Sequence, residues 1–241
     1  MYDGRVDFDR FVQEYAEALM AVDDSVGRVV DTLDDLGLLD STLVVFMSDN
    51  GFQFGEHGLI DKRTMYEASI RVPLIVHCPE LFAGGQRRSE MLLNIDIAPT
   101  LLEVGGAPIP DTMHGRSFHG LLTGASSEWR DAFLYEYFWE RAFPQTPTVL
   151  GVRGDRYKLM RFHGIWDCYE LYDLETDPDE MRNLLGEIRL ETQVGSIDRQ
   201  IAARADPAVA TLFATLSRRL DEILAETGAL DEPTWRGTGV R

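Results

Sequence analysis

The 241 residues carry 41 Asp and Glu against 23 Lys and Arg, a formal net charge of −18, with 44% hydrophobic and 10% aromatic content. That composition permits one large folded domain or one and a half and excludes a disordered tail, while so acidic a chain without a Lys/Arg-rich face excludes a nucleic-acid partner. No apolar run approaches the roughly 20 residues of a membrane span, Met1 to Arg10 is charged rather than signal-like, and two distant cysteines, Cys78 and Cys168, imply no disulfide framework, so the compartment is left open.

Phe11, Val12, Tyr15, Leu19, Val22, Val26, Val29, Val30 and Leu33 recur at helical spacing. This predicts a long amphipathic helix over Phe8 to Leu36 that Gly37 stops. Thr42 to Met47 is short, apolar and β-branched-rich, which suits a buried strand of a parallel sheet reached by a doubly wound helix-to-strand return. Val72 to Val76 predicts a second strand, nearer an edge because Pro73 donates no hydrogen bond. Asp96 to Val104 reads as a helix closed by Gly105-Gly106, and the loop-rich stretch Pro108 to Gly124 leads to a boundary near Ser126.

From Asp131 the pattern changes to aromatic-rich strands: Phe133 to Trp139, Thr148 to Arg153, Tyr157 to Phe162 and Tyr169 to Asp173, joined by turns into an antiparallel sheet. Asp177-Pro178-Asp179-Glu180 is expected to open a short helix toward Leu185, its acidic residues matching the positive amino end. Asp206-Pro207 starts the last helix, with Val209, Leu212, Phe213, Leu216, Leu220 and Leu224 as its apolar stripe. Gly237 to Arg241 reads as a loose end. The fold expected is α/β: part of a doubly wound mixed sheet flanked by helices over 1–125, and a smaller antiparallel sheet subdomain with a terminal helix over 126–241.

Chemistry enters at Ser48-Asp49-Asn50-Gly51, directly after the strand Thr42 to Met47. In open α/β sheets ligands gather beyond the carboxyl ends of strands. A carboxylate and an amide oxygen placed there are donors for hard cations such as Ca²⁺ or Mg²⁺. Calcium takes roughly six to eight oxygens, so other donors must complete such a site. The same tripeptide also suits an ordinary turn, since Asn and Gly tolerate positive φ.

After Gly55-Glu56-His57-Gly58 come Lys62, Thr64, Tyr66, Glu67, Arg71 and Pro73 in order. The whole string resembles the sulfatase family of the alkaline phosphatase superfamily. There an Asp-Asn or Asp-His pair ends a strand, a Lys follows in a Lys-x-Thr-x-Tyr-Glu context, and Arg-x-Pro opens the next strand. Asn94 to Leu102, His114 to Phe118, Gly154 to Leu159 and Tyr169 to Glu180 also resemble family segments, so the likeness runs from about Phe11 to Leu185.

The resemblance implies hydrolysis of a sulfate ester on a sulfated small molecule or sugar sulfate. Asp49 and Asn50 would hold a divalent metal, calcium first, with magnesium or manganese as alternatives. Lys62 would bridge the sulfate and the leaving oxygen, and His57 would donate to the sulfate or leaving group. Arg63 and Arg71 would complete a positive pocket, and His163, with His114 and His119, falls in a region that builds the substrate pocket. For Arg71 a plain pairing with Glu67 across one helical turn is equally open, and each of the three histidines also admits a structural role.

Two family features are absent. No Cys- or Ser-x-Pro/Ala-x-Arg motif is present to supply a formylglycine nucleophile, and no amino-terminal Asp-Asp pair supplies further metal ligands. The chain therefore reads as the carboxy-terminal half of a sulfatase. Two other readings stand beside it. A phosphodiesterase or phosphonate monoester hydrolase would use the same metal and lysine, although Asn50 in place of His leans toward sulfate. An inactive fragment would serve as a binding or structural module, forming homo-oligomers through an open strand edge.

Overall fold

The computed structural model describes residues 7–163, 168–186 and 196–229, and the expectation for Gly237 to Arg241 lies outside them. The helix read from the apolar period is α1, Phe8–Asp35. Asp7 caps it by accepting from the Arg10 amide at 3.2 Å. At the other end Gly37, with φ +65°, donates to Asp34 O at 2.8 Å, and Leu38 donates to Leu33 O at 2.8 Å. This is the paired Schellman closure that a glycine after a helix signals.

Strand β1, Val44–Met47, follows, and its partner β2 is Leu74–His77. The two pair antiparallel, Val44 opposite His77 and Met47 opposite Leu74, and β1 is half-buried. This corrects the expected parallel pairing and full burial. An apolar run signals a covered strand but not the direction of its neighbour. The short helices α2 (Glu67–Ile70), α3 (Ile97–Val104) and α4 (His119–Thr123) complete this part of the chain.

Four strands, β3 (Ala132–Tyr137), β4 (Thr148–Gly154), β5 (Tyr157–His163) and β6 (Cys168–Asp173), form an antiparallel meander in that order, as expected. Alternation gives each strand two faces. Leu150, Val152, Leu159 and Leu171 pack with Phe213, Leu220, Ile223 and Leu224 of α6 (Pro207–Glu226) and with Ile201 of α5 (Ile197–Arg204). Val149, Met160, Phe162 and Tyr172 pack on the opposite face with Met65 and Tyr66. Gly151 makes that second packing possible, since a Cβ there would lie 2.3 Å from Met65 Sδ.

No helix forms over Asp177 to Leu185. Asp177 instead accepts from the Met181 and Arg182 amides at 3.1 and 2.7 Å. Glu180 stands at φ +55°, which breaks any helical run, and its side chain is 2% exposed. The expected acidic helix start is therefore a turn whose glutamate is drawn inward.

The chain divides into two compact units that interleave in sequence. One comprises Met1–Asp49, Val72–Arg88 and His119–Ser126, with α1, β1, β2 and α4. The other comprises Asn50–Arg71, Ser89–Phe118 and Ser127–Arg241, with the four-stranded sheet and the loop bearing most of the candidate residues.

Candidate active-site loop

Asp49 closes the first unit two positions beyond β1 and is exposed. The other candidates belong to the second unit. Asn50 donates its side-chain Nδ2 to Gly51 O at 2.8 Å, which leaves the amide oxygen as the acceptor end of its side chain. Gly51 donates its N–H to Ser69 O at 2.7 Å. A Cβ on Gly51 would sit 2.1 Å from Ala68 O, so only glycine lets the chain pass this close.

The loop from Gln53 to Asp61 closes on itself. Gln53 donates its amide to Asp61 O at 2.9 Å, and Gly55 donates to Leu59 O at 2.9 Å. The Gln53 side chain is fully buried and accepts from Thr64 Oγ1 at 2.9 Å. Gly55, His57 and Gly58 all have positive φ, +111°, +55° and +72°. For a histidine this left-handed conformation is uncommon and costs free energy, and such residues concentrate at functional sites. Its imidazole lies flat on Tyr66, ring centroids 3.7 Å apart and planes 10° apart.

Tyr66 is itself fixed. Its hydroxyl donates to Glu170 Oε2 at 2.8 Å, and Tyr172 donates to the same oxygen at 3.0 Å. Burial, and then the Glu170 carboxylate, push both phenols above their ordinary range, so they act as neutral donors.

Beneath this shelf lies a buried ionic cluster that sequence reasoning missed. Lys158 has no exposed surface, and its ammonium donates to Glu180 Oε1 at 2.6 Å and Met65 O at 2.7 Å, and pairs with Glu67 Oε1 at 2.8 Å. Arg153 adds two contacts to Glu67 at 3.3 Å, and the Glu67 amide donates to Glu180 Oε2 at 2.6 Å. Burial alone would push Glu67 up, but Lys158 and Arg153 outweigh it and hold the carboxyl below its usual range. For Glu180 burial prevails over Lys158 and raises the carboxyl. The expected Glu67–Arg71 pair does not form. Among the described residues Arg71 reaches Glu67 through its backbone amide, which donates to Glu67 O, while Lys158 and Arg153 occupy the carboxylate. The signal available in sequence is Glu67 in the Tyr-Glu motif and Lys158 in Gly154 to Leu159, two segments about 90 positions apart that no local pattern connects.

The remaining candidates separate by environment. Arg63 is tied down: it pairs with Asp61, lies 3.8 Å from Glu140 Oε1 and stacks 3.3 Å over the Phe143 ring. Lys62 is exposed, and among the described residues its ammonium has no acidic partner. His163 ends β5, half-buried and opposite Thr148. His114 is exposed and His119 opens α4. Asp96, by contrast, is a buried structural anchor, accepting from Arg130 at 2.7 Å and from the Leu93 and Arg116 amides at 2.7 and 2.8 Å.

Asp49 and Asn50 fit a hard cation in kind, as a carboxylate and an amide oxygen. In number they would supply about two of the roughly six to eight oxygens calcium takes. Among the described residues no group of three or more His, Cys, Asp and Glu could hold a metal, so a cation at Asp49 and Asn50 would need further donors.

Comparison with known proteins bears out the resemblance. The family model "N-sulphoglucosamine sulphohydrolase, C-terminal" matches residues 55–206, and the model "Sulfatase" matches residues 2–107. The N-acetylglucosamine-6-O-sulfatase of Bacteroides thetaiotaomicron is 36% identical over 182 residues, covering 74% of this chain and 33% of that protein. The solved structure of BT4656 in complex with its substrate D-glucosamine-2-N,6-O-disulfate superimposes with TM-score 0.80 at 29% identity, covering 98% of this chain and 45% of that one. The phosphonate monoester hydrolase of Silicibacter pomeroyi superimposes with TM-score 0.68 at 29% identity, covering 87% and 40%. These matches define the class as hydrolases of the alkaline phosphatase superfamily. Within it the chain belongs to the sulfatase family, whose members generally use a divalent metal. It spans about a third of the curated relative's length and under half of the solved chains. Among the described residues no helix is long and apolar enough to cross a membrane.

Proposed function

We propose that this chain forms the carboxy-terminal part of a sulfatase that hydrolyses a 6-O-sulfate ester of a glucosamine sugar. The observation that carries the reading is the charge state of the loop: its Arg63 is neutralised by Asp61, while Lys62 stands exposed without an acidic partner among the described residues. A cation presented alone on a braced loop suits an external anion. The substrate class rests on the relative that acts on N-acetylglucosamine 6-sulfate and on the neighbour bound to a 6-O-sulfated glucosamine.

In this reading Asp49 and Asn50 contribute two ligands to a divalent cation, calcium first, with magnesium or manganese as alternatives that take the same oxygen donors. Bound there, the cation would neutralise charge on the ester oxygens. Lys62 places its ammonium where charge grows on the leaving oxygen. His57, flat on Tyr66, presents its ring edge as donor to the sulfate or leaving group. Arg63 on Phe143 and His163 at the end of β5 border the sugar. Residues 1–125 supply the core with its metal and substrate groups, and 126–241 the smaller sheet subdomain.

The phosphonate monoester hydrolase neighbour sustains a second reading in which the same groups serve phosphorus. A polypeptide carrying this chain behind a formylglycine-bearing sulfatase half separates them. The first reading expects sulfate release from glucosamine 6-O-sulfate to exceed hydrolysis of an aryl phosphate diester or phosphonate monoester by kcat/KM. The reverse order would overturn it.

A further inference from the structure

His57 sits in a backbone conformation that its surroundings must compensate. Its φ of +55° lies between those of Gly55 and Gly58, at +111° and +72°, and a residue with a side chain is held there only where the structure around it over-determines the geometry. The loop backbone supplies part of that hold, with Gly58 donating to Gly55 O at 2.9 Å and Leu59 to Glu56 O at 3.0 Å. The side chain is fixed by one contact: its ring lies 3.7 Å from that of Tyr66, with the planes 10° apart. Among the described residues no hydrogen bond reaches either ring nitrogen of His57. The stack therefore sets the plane of the imidazole and leaves its nitrogens to an outside partner.

Tyr66 is in turn placed from the four-stranded sheet. It is buried, and its hydroxyl donates to Glu170 Oε2, on β6 and 104 positions away, the oxygen that also takes the Tyr172 hydroxyl. The two phenol rings meet edge to face with centroids 6.3 Å apart. One carboxylate oxygen thus holds two phenols by charge-assisted bonds, which fix orientation where apolar packing is non-directional. The backbone beneath is held by other groups: Lys158 donates to Met65 O at 2.7 Å, and Thr64 donates to Gln53 Oε1 at 2.9 Å. A change in the Tyr66 ring therefore acts on His57 and should leave the path of the chain from Lys62 to Glu67 in place.

We propose that Tyr66 and Glu170 are positioning residues: the carboxylate on β6 fixes the phenol, and the phenol fixes the plane of His57, so that an imidazole edge faces the group being transferred. This role rests on the reading of His57 as a donor. A double-mutant cycle tests it in a polypeptide joining this chain to a formylglycine-bearing amino-terminal half, with Tyr66→Leu, His57→Ala and both together. The cycle is run on whichever ester turns over faster, so the choice between sulfate and phosphorus does not enter. His57→Ala should lower kcat by about 10²-fold. Tyr66→Leu should lower kcat by about tenfold or more with KM little changed while His57 is present, and by less than about twofold once Ala replaces it. Glu170→Ala should follow Tyr66→Leu, and Glu170→Gln, which keeps an oxygen for the phenols, should recover most of the loss. In the 241-residue chain alone, the His57 ring protons should be shifted upfield in the NMR spectrum by the Tyr66 ring and lose that shift in Tyr66→Leu. A Tyr66→Leu penalty of equal size in both backgrounds, or an unshifted His57 ring in the parent chain, would overturn the positioning role alone. An unchanged kcat in His57→Ala would overturn the donor reading and this role with it.

Discussion

Replacing Lys158 with Met tests whether the ionic cluster beneath the loop holds the second unit together. The ammonium is fully buried and has three oxygens within 2.6 to 2.8 Å. Met fills nearly the same volume, so the change removes charge and donors more than packing. Glu67 and Glu180 would then face each other with Arg153 alone, at 3.3 Å from Glu67. Removing one partner of a buried pair costs about 3–5 kcal/mol, which in a chain of this size lowers Tm by roughly 6–20 °C.

The pH dependence carries a sign. In the parent, Glu67 is held below its usual range, so its contribution is present at neutral pH and is lost as pH falls through that lowered value. Glu180 is raised, so its contribution is present below the ordinary carboxylate range and is lost as pH rises through the raised value. Without Lys158, burial pushes both carboxyls upward, and mild acid protonates them and relieves their repulsion. The deficit should be largest near pH 7 to 8 and shrink toward about pH 5. Urea unfolding of the chain, followed by tryptophan fluorescence at both pH values, measures it. A deficit below about 1 kcal/mol at neutral pH, or an equal deficit at both, would refute the reasoning.

Gly51→Ala should lower stability by about 2 kcal/mol or more, since its Cβ meets Ala68 O at 2.1 Å, and urea unfolding would detect it. Lys62→Ala should leave the stability of the chain within about 0.5 kcal/mol. In a complete enzyme the same change should lower kcat by about 10²- to 10³-fold with KM little altered, as steady-state kinetics would show. Tyr66→Phe removes one of two hydroxyls from Glu170 and should cost about 1–3 kcal/mol; double substitution with Tyr172→Phe, compared with each single change, measures how far the two are coupled.

The parts of this fold that were legible in sequence are those governed by local pattern. The apolar period of α1, the glycine that stops it and the alternation of β3 to β6 each depend on residues a few positions apart. Strand direction was not legible, because Val44 to Met47 is equally apolar beside a parallel or an antiparallel neighbour. The expected Asp177 to Leu185 helix failed for a non-local reason: Glu180 turns inward to reach Lys158. Glu67 likewise bypasses Arg71 for Arg153, 86 positions away. At the candidate site Asp49, Asn50 and Lys62 stand out in sequence only through likeness to a family, since each alone suits an ordinary turn or surface position. The shelf under His57 and the space that excludes any side chain at Gly51 come from tertiary contacts no short motif encodes.

The most direct measurement of the central claim is sulfate release from glucosamine 6-O-sulfate by a polypeptide joining this chain to a formylglycine-bearing amino-terminal half, with Asp49→Ala and Lys62→Ala alongside. The account predicts turnover that depends on added divalent cation, falls sharply in the Lys62 variant, and loses its cation response in the Asp49 variant. Turnover that is unchanged in both variants would contradict it.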